Sequence, residues 1–194
     1  MKKTFFIFLF LGVIFFSYCK KDSGTSFPSQ SFIVNATSKT KWVYFSFVTN
    51  DTVNISNPRN STAWDLAFKN FYIRTNSGLS GKGKGGADSC YMDNQAGFNS
   101  YVTVSDTITF QIDKWGLTNY MGFIKDTLNP VLNNWYTFDK NTDKYIPTNS
   151  IFVIRTALGN YAKLWVQSYY NIGDSAVGYM NLKYAYQSNG SKNF

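Results

Sequence analysis

The sequence predicts an all-β protein folded as one antiparallel, β-sandwich-like single domain. Aromatic residues make up 19% of the chain, and with Thr, Val and Ile they fall into short alternating runs. That is the composition and the period of half-buried strands. Asn and Gly punctuate the runs, as turn residues do. Glutamate, a strong helix former, is missing, and no segment carries a convincing 3.6-residue apolar period.

The predicted domain spans residues 31–194. What precedes it reads as targeting information. Lys2 and Lys3 open the chain, and Thr4 to Phe16 form an almost wholly apolar run. The run is shorter than the roughly 20 residues that span a bilayer and fits the apolar core of a signal peptide, here residues 1–18. Cys19 follows at once, the placement of a bacterial lipobox cysteine that is diacylated and becomes the first mature residue. Tyr18 is larger than the small residue usual before such a cleavage point, and ordinary secretion with an incidental Cys19 is the alternative. Lys20-Lys21-Asp22 resembles the tract that sends lipoproteins of Bacteroidota to the cell surface. Residues 19–30 then form a lipidated N-terminus and a polar tether, whose Ser23–Gln30 stretch would hold the domain about 15–20 Å off the bilayer.

Within the domain, strands are expected at Ser31–Asn35, Trp42–Thr49, Thr52–Ser56, Trp64–Thr75, Tyr101–Val104 and Thr107–Asp113. Four more are expected at Asn134–Asp139, Ile151–Ala157, Tyr161–Tyr170 and Val177–Gln187. The last three read as consecutive hairpins, turning at Leu158-Gly159-Asn160 and within Asn171–Ala176. The stretch from Asn119 to Asn149 is the least regular, and long irregular connections in compact domains tend to carry function.

The chain has no histidine. Ser-His-Asp triads, Cys-His dyads and histidine-based zinc sites are therefore excluded, and no enzyme is expected. Eleven Asp residues leave a two-carboxylate glycosidase formally open, but no spacing picks out a pair. After Cys19 is counted as residue one, the mature chain carries +6 (17 Lys and Arg against 11 Asp), scattered with no basic run, so no nucleic-acid partner is expected. Cys90 is then the only other cysteine, without an intramolecular partner, and is expected to be a small buried hydrophobe.

Several motifs invite a sharper reading. Gly78–Gly86 matches a dinucleotide fingerprint and nearly a P-loop by letter. No amphipathic helix follows it to complete either motif, so a loop passing close to other backbone is expected, with Lys82 and Lys84 outward. Phe-x-Ile-Arg-Thr occurs at Phe71–Thr75 and Phe152–Thr156, and Asp65 is the expected partner of one of the two arginines. Asp51-Thr-Val, Asp106-Thr-Ile, Asp126-Thr-Leu and Asp174-Ser-Ala match a short O-glycosylation sequon.

A fixed series of blocks makes the chain resemble a known family. These are Lys41-Trp-Val-Tyr-Phe-Ser-Phe47, Val53-Asn-Ile55, Trp64-Asp-Leu-Ala-Phe68, Tyr72-Ile-Arg-Thr-Asn76 and Ser80-Gly-Lys-Gly-Lys-Gly-Gly-Ala87. Phe152-Val-Ile-Arg155 and Gly159-Asn-Tyr-Ala-Lys163 follow near the end. Together they resemble the HmuY family of Bacteroidota surface lipoproteins, over roughly residues 31–187. The resemblance implies an all-β sandwich-like domain and haemophore activity: capture of haem and delivery to a TonB-dependent outer-membrane receptor. Family haemophores clamp iron with paired His, in some relatives Met, from the variable middle region. Here the two corresponding stretches hold Met121, flanked by Tyr120 and Phe123, and Lys140.

What the resemblance implies for the site is a haem held by Met121 as iron ligand, with Lys140, Tyr120 and Tyr136 as further cofactor-binding groups. A thioether would favour ferrous iron. Trp115, Tyr120, Phe123, Trp135 and Tyr136 would cover the porphyrin, and Lys114, Lys125 and Lys140 would meet its propionates. Met121 as a mere loop filler is the alternative. Two other functions stay open: an HmuY-fold adaptor that no longer binds haem, and a glycan-binding lipoprotein stacking sugars on Trp115, Trp135 and Tyr136.

Overall fold

The computed structural model describes residues 28–118 and 124–194. Cys19 and the expected signal peptide lie outside them, as do Tyr120, Met121 and Phe123. In chain order the first strands are β1 (Gln30–Asn35), β2 (Val43–Ser46), β3 (Asp51–Val53), β4 (Leu66–Lys69), β5 (Tyr72–Thr75) and β6 (Gly86–Asp93). A short helix α1 (Asn94–Ser100) follows. Then come β7 (Lys114–Thr118), β8 (Ile124–Leu128), β9 (Tyr136–Asp139), β10 (Lys144–Pro147), β11 (Ser150–Arg155), β12 (Tyr161–Tyr170) and β13 (Val177–Gln187).

Two antiparallel sheets form the body, in the orders β1-β13-β12-β11-β6 and β3-β2-β4-β5. They share one apolar core. Phe45, Leu66, Phe68 and Ile73 of the smaller sheet meet Phe152, Ile154, Leu164, Leu182 and Tyr184 of the larger. This is the expected sandwich. The period of two explains which residues go there: on β12, Ala162, Leu164 and Val166 face the smaller sheet, whereas Trp165 packs under Phe98 of α1 on the other face. The larger sheet is thus covered on both sides, and Ala162–Val166 is buried without interruption.

The helix itself was not expected. Its sequence, Asn-Gln-Ala-Gly-Phe-Asn-Ser, buries only Phe98. It is held by tertiary contact: Lys163 Nζ donates to the carbonyls of Phe98 and Tyr101, each at 2.8 Å. A cation at a helix C-terminus satisfies orphan carbonyls and opposes the helix dipole. Burial lowers the pKa of that ammonium.

The three C-terminal strands match expectation closely, turning at Gly159 with φ +96°. Elsewhere the strands differ. The expected single strand Trp64–Thr75 is a hairpin, because Asn70 adopts the left-handed conformation (φ 53°) that Asn tolerates. Thr107–Asp113 is not a strand and contributes one bridge, Gln111 to Ala87. Tyr101–Val104 likewise makes a single bridge, Thr103 to Asn193. Strands β6, β7, β8 and β10 were not foreseen. No helix among the described residues is long and apolar enough to cross a membrane.

Candidate ligand-binding site

Two hairpins outside the sandwich hold the residues that the sequence singles out. The first, β7–β8, is fixed at its root by two buried polar residues. Asp113, directly before β7, accepts hydrogen bonds from Thr75 Oγ1 (2.7 Å), the Thr75 amide (3.0 Å) and Asn129 Nδ2 (3.2 Å). Asn129, directly after β8, also donates to Gln111 O at 2.8 Å and accepts from the amides of Val131 and Leu132. Burial raises the Asp113 pKa, and its hydrogen bonds from Thr75, Ser80 and Asn129 oppose the rise.

Strand β8 is also tied to the smaller sheet along its length. Lys69 pairs with Asp126. Arg74 lies 4.0 Å from the Trp42 ring and donates to Tyr44 Oη (2.8 Å) and Thr127 Oγ1 (3.4 Å). Ser80 Oγ donates to Thr127 at 2.8 Å. Two buried cations thus share one face with a single close carboxylate, and the aromatic ring of Trp42 replaces the missing anion by cation–π attraction. No motif marks this group, since Trp42, Lys69 and Asp126 are far apart in the chain.

The second hairpin, β9–β10, carries an aromatic group. Phe71 lies 4.3 Å from Tyr72, 5.0 Å from Tyr145 and 5.5 Å from Tyr136 between ring centres. Phe138 meets Tyr145 at 5.1 Å. These rings are half-buried or exposed at the edge of the core. Burial, with Tyr145 and Tyr72 close by, pushes the Tyr136 hydroxyl up to about 12. Tyr136 therefore presents a neutral phenol and an aromatic edge at neutral pH.

The structure separates the expected site residues. Tyr136 opens β9 and Lys140 follows its end, exposed in the turn, about 13 Å further along an extended strand. Tyr120 and Met121 fall between β7 and β8, outside the described residues. Trp115 is 61% exposed on β7. Trp135 is no ligand platform: it is 1% exposed and donates its indole N–H to Phe71 O at 2.9 Å. A buried Trp needs such a partner, and the 129–135 segment delivers it along the β5 edge, where Asn133 Nδ2 donates to Ile73 O at 2.9 Å. Among the described residues no group of three or more Cys or Asp is placed to hold a metal.

Two motif readings are resolved as well. Asp65 pairs with neither arginine. Its carboxylate accepts the amides of Phe47 (2.9 Å) and Ala157 (3.0 Å), so it joins the two sheets through backbone. Arg155 instead donates to Lys84 O at 2.6 Å and lies 5.0 Å from the Phe110 ring. The glycine-rich loop wraps Asn76, which donates to Ser61 O and Trp64 O and accepts the Gly83 amide. A Cβ at Gly83 or Gly85 would come within 2.6 Å of Asn76 O. The glycines serve close backbone approach, and Lys82 and Lys84 point to solvent as expected.

The fold has counterparts among solved structures. A structure from Tannerella forsythia, an apo HmuY analogue, superposes with a TM-score of 0.64 at 18% identity, covering 86% of this chain and 99% of that one. A Bacteroides fragilis protein assigned as a lipoprotein gives a TM-score of 0.63 at 22% identity, with 81% and 88% covered. A Bacteroides vulgatus protein assigned as HmuY-like and haem-binding gives 0.61 at 19% identity, with 81% and 91% covered. No curated protein matches this chain. The model of the family described as HmuY protein matches residues 38–184, most of the domain, and the chain therefore belongs to the HmuY family.

Proposed function

We propose that this protein is a lipid-anchored protein of the outer membrane or cell surface that binds haem or a related tetrapyrrole and passes it to a TonB-dependent receptor. The observation that carries the reading is the group of half-buried rings, Phe71, Tyr72, Tyr136, Phe138 and Tyr145, on hairpins of an HmuY-family domain. Apolar rings with a few exposed cations suit a flat macrocycle with two carboxylates. Lys114, Lys140 and Lys144 are exposed around these hairpins and would meet the propionates. Lys140 lacks the burial that iron ligation by an amine requires, and the neutral Tyr136 phenol would contact the ring edge without coordinating iron. Met121, where the family resemblance places an iron ligand, would coordinate the iron, with Tyr120 beside it in sequence. Cys19 would carry the anchor.

The test is a haem titration of the purified protein, under air and under dithionite. A shifted Soret band is expected, stronger for ferrous haem, and lost in Met121→Ala. An unchanged band in both redox states supports the second reading, a receptor adaptor without haem, which the absence of histidine favours. Pull-downs without added haem would then recover the receptor.

A further inference from the structure

A second cleft lies on the opposite face of the larger sheet, away from the sandwich core. Strand β6 forms one wall and residues 105–111 the other, enclosing about 440 Å³. That volume falls within the range of roughly 300–1,000 Å³ typical of small-molecule sites. Most such sites are lined by apolar groups, whereas this one presents Asp88, Ser105, Thr107, Thr109 and Gln111. The Asp88 carboxylate is fixed by the amides of Ser89 (2.8 Å) and Thr109 (3.2 Å) and still offers lone pairs.

The Tyr91 ring and the Tyr101 hydroxyl lack structural partners. Tyr91 lies in a bulge of β6, where β11 advances from Ser150 to Phe152 while β6 advances from Asp93 to Ser89. Its φ is +53° and its side chain is 91% exposed at the cleft rim. A bulky residue in the left-handed region is an outlier, and such strain persists where it is used. Tyr101, only 8% exposed, lines the same cleft. Its hydroxyl lies near the Cys90 thiol and the Ser105 backbone but closes no hydrogen bond of normal geometry. A buried unpaired hydroxyl is costly unless a ligand satisfies it.

We propose that this cleft binds a saccharide, with the Tyr91 ring under the C–H face of a pyranose and Asp88, Gln111 and the Tyr101 hydroxyl bonded to its hydroxyls. A sugar fits because it offers paired donors and acceptors on its edge and an apolar face for an aromatic ring. The Cys90 thiol, pushed up to about 12 by burial, stays neutral and contributes shape alone.

Saturation-transfer NMR and calorimetry with millimolar methyl glucoside, galactoside, mannoside and N-acetylglucosaminide, and with the matching disaccharides, test this. At least one probe receives saturation, and disaccharides gain over monosaccharides if the physiological ligand is a chain. Tyr91→Gly relieves the backbone strain and raises the Tm, yet weakens binding about tenfold, the loss expected for one aromatic contact. Tyr101→Phe weakens binding about fivefold without lowering the Tm, because its hydroxyl closes no hydrogen bond of normal geometry in the free protein. Absence of transfer to every probe, or unchanged affinity in Tyr91→Gly, overturns the proposal.

Discussion

Two regions of this molecule use the same device, a buried Asp with a buried Asn, to different ends. Asp65 and Asn76 lie where the sheets meet. Between them they bond the Phe47 and Ala157 amides, the Ser61 and Trp64 carbonyls and the glycine-rich loop. Asp113 and Asn129 bond each other and the groups around the root of the β7–β8 hairpin, at Thr75, Ser77, Gln111 and the 131–132 turn. Beyond that root the hairpin carries Trp115 into solvent. One pair closes a body, the other aims a projection. The difference teaches that a polar core group in this fold is read by what it leaves exposed, not by its own burial.

The comparison breaks most visibly at Asp65. Asp65→Ala leaves two buried amides without acceptors and should cost about 3 kcal/mol or more in urea unfolding. Gly83→Ala forces a Cβ against Asn76 O and the Ala157 Cα and should cost about 2–3 kcal/mol. Both variants should bind ligand normally once folded, because neither touches β7–β8 or β9–β10. A large affinity loss with intact folding in either one would dissolve the distinction between the regions. Asp113→Ala should cost less in global stability, about 2 kcal/mol, since fewer backbone groups depend on it. Its mark should be local: faster hydrogen exchange across residues 114–118 and 124–128 and weaker haem binding. Exchange unchanged in both strands would show that the root does not position the hairpin.

Much of the body was legible in the sequence. Strands β11, β12 and β13 announce themselves by dense apolar residues and by turns at Gly159 and Asn171–Ala176. The glycine-rich loop was legible as close backbone approach, since no strand–helix frame surrounds it. What was not legible depends on distant partners. Strand β6 alternates poorly and exists because β11 supplies its ladder. Helix α1 depends on Lys163, more than sixty residues away. Asp65 suggested an arginine because opposite charges attract, but its position at the sheet junction supplies amides first. Tyr136 and Lys140 were expected at one site, but hairpin β9–β10 sets them at opposite ends of one strand. The burial of Trp135 was hidden for a related reason: only the path of the 129–135 segment along β5 reveals its acceptor.

The smallest expected effect on stability is at the projecting end of the comparison. Trp115 is 61% exposed and makes no ring pair among the described residues, so Trp115→Ala should change unfolding free energy by no more than about 0.5 kcal/mol. A large ring held in water on a hairpin rooted by two buried hydrogen-bonding residues is a poor contributor to folding and a good one to binding. Haem affinity in Trp115→Ala should therefore fall about tenfold while the Tm holds, the loss expected for one aromatic contact. A variant that loses Tm together with affinity would place Trp115 in the body of the protein. One that loses neither would leave the aromatic rings of β9–β10 to carry the ligand without help from β7.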